Sequence, residues 1–338
     1  MADAFLSLSA SDRREVLGVA ADRSGRPAHL LEKDAWVVWA LAVLYGSPLG
    51  DHLVFKGGTS LSKAYAVIRR FSEDVDLTYD IRALAPDLVG DHGEALPKTR
   101  SEEKRWSGEV RKRLPEWVAG TVQPVVSEAL ASGSLAAAIR VEDDKLFIDY
   151  EATTAGSGYV APIVMLEFGA RSTGEPASFR DVVCDAAGLV DGVDFPSARP
   201  RVMHAERTFW EKATAIHVFC LQERLRGDRF ARHWHDVARL DEAGFATSAI
   251  ADRELANAVA RHKTMFFSEK AVDRTPIDYA AAVNGGLHLV PAGDGAKALE
   301  EDYARMIEDG LFQEDAEPFP ALMEHCAEIS ARANARAE

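Results

Sequence analysis

Residues 55–77 read FKGGTSLSKAYAVIRRFSEDVDL, and this stretch decides the fold. A short apolar strand, Leu53 to Phe55, runs into Gly57 and Gly58, then Thr59 and Ser60, then a helix-like segment. A second apolar stretch carries Asp74 and Asp76 on either side of Val75. Residues two apart on a strand share a face, so both carboxylates point one way while Val75 and Leu77 enter a core. Paired carboxylates facing a Gly-rich turn at a helix start would hold Mg²⁺ and a triphosphate together. Alone, a GG is a turn and a DxD is a solvated strand face. A helix-length spacer with apolar flanks makes chance the poorer account of the two together.

Working outward, His29 to Tyr45 predicts a helix with apolar residues on more than one side, hence well buried. Leu53–Lys56 predicts a strand, Ser60–Arg70 a helix and Asp74–Tyr79 the next strand, followed by a loop over 80–97. Helices are expected over Ser101–Leu114 and Pro115–Ser132, and strands over Ala137–Arg140 and Lys145–Glu151. TTAGSG at 153–158 is turn chemistry, and Pro162–Phe168 resumes an alternating strand, so a hairpin is expected there. Phe179 to Val193 is strand and turn. From Met203 the pattern is mainly helical, with clear helices over Glu206–Cys220 and Asp228–Ala243 and one strand-like segment over Gly286–Val290. The expectation is an α/β (α+β) core with a mixed sheet over residues 1–200, followed by a mainly helical part over 201–338 that completes the site.

Composition sets outer bounds. The 338 residues are 47% hydrophobic and 28% charged, an ordinary globular mixture. No apolar run reaches the ~18 residues a membrane span needs, so no membrane association is expected. The N-terminus MADAFLSLSASDRREVL lacks a basic-then-apolar leader, and Cys184, Cys220 and Cys326 suggest neither a disulfide framework nor a zinc pattern. A reducing cytoplasm is the simplest location. The net charge of −15 argues against a general nucleic-acid binder while permitting a local basic groove. Basic residues cluster at Lys98–Arg113, Arg201–Lys212 and Arg224–Arg239. Each cluster alone reads as a solvated helix face.

Four further residues are candidates for chemistry. Glu167, between apolar neighbours on a strand, is either a third metal-binding acid or an edge glutamate facing water. Lys212, in RTFWEKATAIH, could reach a phosphate as a point charge, or pair with Glu206 or Glu211 at the surface. Arg207 is a similar candidate. Asp236, closing RHWHD, could orient Lys212 or assist proton transfer, or pair with Arg232 one turn away. His204, His217, His233 and His235 show no metal-ligand spacing.

Taken together, these segments resemble the nucleotidyltransferase toxins of the AbiEii family, which includes the mycobacterial MenT toxins. LLEKDAWVVWAL resembles the family's N-terminal helix, and FKGGTSLSKAY with RFSEDVDL its first motif. IVMLEFGAR resembles the second motif, ERTFWEKATAIH the third and RHWHDVARL the fourth, in the family's order. Fifteen residues separate Gly58 from Asp74, slightly more than in the wider polymerase β-like superfold.

The resemblance implies a polymerase β-like nucleotidyltransferase. Asp74, Asp76, Lys212 and Asp236 would be catalytic, and Asp74, Asp76 and Glu167 would hold Mg²⁺, with Mn²⁺ as a substitute. Gly57, Gly58, Thr59, Ser60, Lys63, Ser72 and Arg207 would contact the NTP. It further implies transfer of NMP to the 3′ end of the tRNA acceptor stem with release of pyrophosphate, a block to growth, a part in phage defence and a cognate antitoxin. A transferase acting on a protein or small molecule, or a non-catalytic nucleotide-binding regulator, are the alternatives.

Overall fold

The computed structural model describes residues 3–70, 74–90, 95–154, 161–223, 229–310, 312 and 316–335. The chain forms two compact units. The first comprises Met1–Ala64, Glu73–Asp91 and Trp106–Val202, and the second Tyr65–Ser72, His92–Arg105 and Met203–Glu338.

Seven strands make one mixed sheet, in the order Ala137–Glu142, Lys145–Tyr150, Ile163–Gly169, Asp74–Tyr79, Leu53–Lys56, Arg201–Met203 and Ala177–Phe179. The acid-bearing strand Asp74–Tyr79 is central. It runs antiparallel to Leu53–Lys56 and parallel to Ile163–Gly169. The expected hairpin is present as the antiparallel pairing of Lys145–Tyr150 with Ile163–Gly169, and its turn residues 155–160 lie outside the described residues. Alternation decides the faces: Val75, Leu77, Val164, Leu166 and Phe168 are all buried on the inner side.

The helix Ala28–Tyr45 is buried on most of its circumference, as its sequence predicts. Trp36 stacks on Tyr150 of the sheet at 5.1 Å. Three consecutive charged residues on this helix are buried as well, and each is satisfied. Glu32, 1% exposed, accepts hydrogen bonds from the backbone N–H and the hydroxyl of both Thr153 and Thr154. Lys33 donates to the Ala161 carbonyl at 3.2 Å. Asp34 pairs with Lys63 at 2.6 Å and accepts the Asp185 N–H. Burial of such groups is tolerable because every charge meets a partner.

Four expected elements differ, the last of them in the second unit. The helix after the glycines covers only Gly57–Lys63. Beyond it Ala66 adopts φ 53°, and the Tyr65 hydroxyl donates to the Met203 carbonyl at 2.8 Å, so tertiary contacts override the helical pattern. The expected break at Pro115 is absent. The helix Arg100–Trp117 runs through it and is followed by a π-helical turn, Val118–Val122, then Gln123–Ser132. Two short helices, Ile81–Leu84 and Pro86–Val89, occupy part of the expected 80–97 loop.

The second unit contains the helices Ala205–Gln222, Arg232–Glu242, Phe245–Ala251, Arg253–Phe266, Tyr279–Val283, Gly293–Glu308 and Phe319–Ala335. Trp210 and Trp234 are fully buried, and their indole N–H groups donate to the Ala249 and Leu289 carbonyls. Gly286–Val290, expected to be strand-like, is not a strand. Helix side chains, not a neighbouring strand, satisfy its backbone. Asn334 accepts the Leu287 N–H, His217 accepts the His288 N–H, and Ser330 donates to the Leu287 carbonyl. Among the described residues no helix is long and apolar enough to cross a membrane.

Leu166 sits in the register position opposite Val75, fully buried. Leu166→Ala is expected to lower the unfolding free energy by about 2–5 kcal/mol in urea denaturation, with little change in the denaturant slope.

Candidate active site

In the first unit, the strand Asp74–Tyr79 buries Val75 and Leu77 and leaves Asp74 and Asp76 half-exposed on its other face. Register then builds a row across the sheet. Lys56 lies opposite Asp76, Asp76 beside Glu167, and Glu167 beside Lys145. The row alternates from cation through two carboxylates to cation. Lys145 binds Glu167 at 3.0 Å. That hydrogen bond raises the Lys145 pKa despite some desolvation, and the charge of Asp74 adds to the effect.

The glycine turn meets this row directly. Lys56 is extended, Gly57 turns at φ 77°, and the helix Gly57–Lys63 begins. A Cβ at Gly57 would overlap the Asp76 carboxylate, so the missing side chain is the space that Asp76 occupies. The Thr59 hydroxyl donates to the Asp74 carbonyl and fastens the new helix to the acid strand. The Ser60 hydroxyl donates to the Gly57 carbonyl at 2.9 Å.

These contacts engage several of the residues expected to meet the nucleotide. The Thr59 and Ser60 side chains are buried, and their hydroxyls donate to the acid strand and to the turn respectively. Lys63 is also engaged: it bridges Asp34 and Asp185 at 2.6 and 2.7 Å, at the far end of the seven-residue helix. Ser72 lies outside the described residues. Glu167 faces Lys145 and is 43% exposed, and among the described residues no three acidic, histidine or cysteine side chains converge on one point. Of the three expected metal donors, Asp74 and Asp76 share one strand face, and Glu167 lies beside Asp76 in register. Two carboxylates suit Mg²⁺, which keeps several waters and completes its shell with substrate phosphates.

In the second unit, Lys212 and Asp236 come together. Lys212 Nζ lies 2.8 Å from Asp236 Oδ2, and neither pairing expected for a surface residue forms. Arg70 takes the other side of the same carboxylate with two parallel hydrogen bonds, at 2.7 and 2.8 Å. Asp236 is fully buried, Arg70 5% exposed and Lys212 8%. Burial pushes the Asp236 pKa up, but Arg70 and then Lys212 outweigh it and hold it well below the carboxylate range. Burial pulls the Lys212 pKa down, Asp236 opposes this, and Arg70 adds to the lowering. Arg207 pairs with Glu211 one turn on at 3.2 Å.

Arg70, Lys56 and Lys145 are the functional candidates that motif reading passes over. Arg70 belongs to the RRF that precedes the acid motif, and only folding reveals that it serves Asp236. Of the histidines, His217 stacks on His288 at 5.4 Å, and burial lowers its pKa to about 4.

Asp236→Asn would leave Arg70 and Lys212 buried beside a neutral amide. The expected cost is about 3–5 kcal/mol of unfolding free energy at pH 7, read from urea denaturation. Because the folded pKa of Asp236 is depressed, its contribution is complete above the unfolded carboxylate value of ~4 and is lost as pH falls through the lower folded value. The variant should therefore lose less stability than the wild type on acidification below pH ~4.

The profile of the family described as nucleotidyl transferase AbiEii toxin, type IV TA system, matches residues 39–325. A comparison with curated proteins gives no match. Among solved structures the chain is similar to MenT4, a nucleotidyltransferase toxin from Mycobacterium tuberculosis H37Rv, at 15% identity, covering 98% of this chain and 100% of that one. The TM-score of 0.40 is too low for that likeness to decide anything. The family match spans most of the sequence, and the chain belongs to the AbiEii nucleotidyltransferase toxin family of type IV toxin–antitoxin systems.

Proposed function

We propose that this chain transfers NMP from an NTP to the 3′ end of the tRNA acceptor stem, with release of pyrophosphate. The observation that carries this reading is the contact between the Gly57 turn and Asp76 on a strand that also presents Asp74. The corresponding division of labour is a nucleotidyltransferase core over residues 1–200 and a helical part over 201–338.

Asp74 and Asp76 would hold Mg²⁺, which supplies positive charge at the α-phosphate and favours ionisation of the attacking hydroxyl. Backbone N–H groups at Gly57 and Gly58 receive phosphate oxygens, with Lys56 and Lys145 balancing the acidic row. The acceptor's 3′ oxygen bonds to the α-phosphorus, the bond to the β-phosphate bridging oxygen breaks, and the hydroxyl proton passes to solvent. Lys212, a point charge held in place by Asp236, is assigned to the polyphosphate, and Arg207 to the nucleotide. Positioning and charge neutralisation supply most of the rate in such chemistry. The toxin's restraint falls to a cognate antitoxin.

Asp74→Ala is expected to reduce labelled NMP incorporation into total tRNA by at least ~100-fold, and to abolish growth arrest and added nucleotides at tRNA 3′ ends. Wild-type incorporation by that variant would overturn the assignment. A parallel incubation with protein in place of tRNA tests the other acceptor class. Gly57→Ala should abolish turnover just as fully, since the new methyl group displaces the Asp76 carboxylate. Its thermal midpoint separates that effect from misfolding.

A further inference from the structure

Three adjacent strands of the first unit give one carboxylate a choice of neighbour. Glu167 stands on the middle strand, Ile163–Gly169. Register puts Lys145 beside it on one flanking strand and Asp76 beside it on the other. Neighbouring strands lie about 4.8 Å apart and residues in register share a face, so Glu167 is within side-chain reach of both. Here it takes the cation: its Oε2 lies 3.0 Å from Lys145 Nζ. Asp76 leans the other way. Its carboxylate fills the Cβ space of Gly57, which follows the Leu53–Lys56 strand on the far side of the acid strand.

The Lys145 contact is easily given up. Its partners are 36% and 43% exposed, and an ion pair so open to water contributes little to stability. What it supplies is charge. Asp74, Asp76 and Glu167 place three carboxylates on two adjoining strands, and like charges side by side repel. Lys145 offsets one of them. A divalent cation at Asp74 and Asp76 would offset more, from the opposite side, and would repel the ammonium. Carboxylate oxygens suit both Mg²⁺ and Mn²⁺. Rotation of the Glu167 side chain alone then trades one partner for the other, with the backbone ladder unchanged.

We infer that Lys145 is a positioning residue: it holds Glu167 aside, and Glu167 exchanges that ammonium for a divalent cation held by Asp74 and Asp76. The inference rests on the nucleotidyl-transfer reading for the presence of the cation. Lys145 thereby sets the metal concentration at which the third carboxylate joins the site.

Mn²⁺ is titrated into the full chain without nucleotide, and the free ion is followed by its EPR signal. Asp74→Ala should weaken binding by at least ~tenfold. Lys145→Met should tighten it by roughly tenfold, since it frees a ligand and removes a nearby like charge. Lys145→Arg keeps the pair and should bind as the wild type does. Loss of charge acts through space whatever stands at position 167, whereas release of a ligand needs the glutamate. In a Glu167→Gln background, Lys145→Met should therefore tighten binding by at least ~threefold less. Melting midpoints near the wild-type value show that the part-exposed substitutions leave the fold intact. Unchanged affinity in Lys145→Met, equal tightening in the two backgrounds, or binding indifferent to Asp74→Ala overturns the exchange. So does an absence of Mn²⁺ binding by both the wild type and Lys145→Met. A chain that shows the coupled tightening yet incorporates no NMP keeps the exchange and removes the transferase reading.

Discussion

A missing side chain organises the first unit. Gly57 must turn the chain from a strand into a helix, and it must do so where the Asp76 carboxylate already occupies the space of a Cβ. Any other residue would meet both a steric clash and an unfavourable left-handed backbone. The glycine thus serves the turn and the acid at once. The neighbouring hydroxyls of Thr59 and Ser60 lock that arrangement from within, the first to the acid strand and the second to the turn itself.

The second unit is organised by charge. Asp236 is completely buried and survives there only because a guanidinium grips one side and an ammonium the other. The bidentate Arg70 contact fixes the carboxylate plane, and the single contact to Lys212 leaves that ammonium with donors to spare. The two cations thus differ in geometry: Arg70 is held by two hydrogen bonds and Lys212 by one.

Much of this was legible in the sequence because it depends on local period. Alternation in IVMLEFG placed Val164, Leu166 and Phe168 inward, and the DVDL spacing placed the two aspartates on one face. What required register was not legible. No local pattern reveals that Lys56, Asp76, Glu167 and Lys145 form one row, or that Lys145 pairs with Glu167. The same holds for Lys63 and Ser60: proximity to a glycine turn suggests substrate contact, and only the fold reveals that Asp34 and Asp185 also pair with the lysine and that the serine hydroxyl donates to the Gly57 carbonyl. The helix that should have run to Arg70 ended early because Tyr65 found better partners in the second unit.

The buried triplet Glu32, Lys33 and Asp34 has an architectural implication. Glu32 clamps Thr153 and Thr154 while Lys33 clamps Ala161, so one turn of a single helix secures both ends of the connection between two adjacent strands. The clamp thereby supports the strand pairing from both ends of the connection. The two strands that carry Lys145 and Glu167 are therefore braced by a helix as well as by their own ladder.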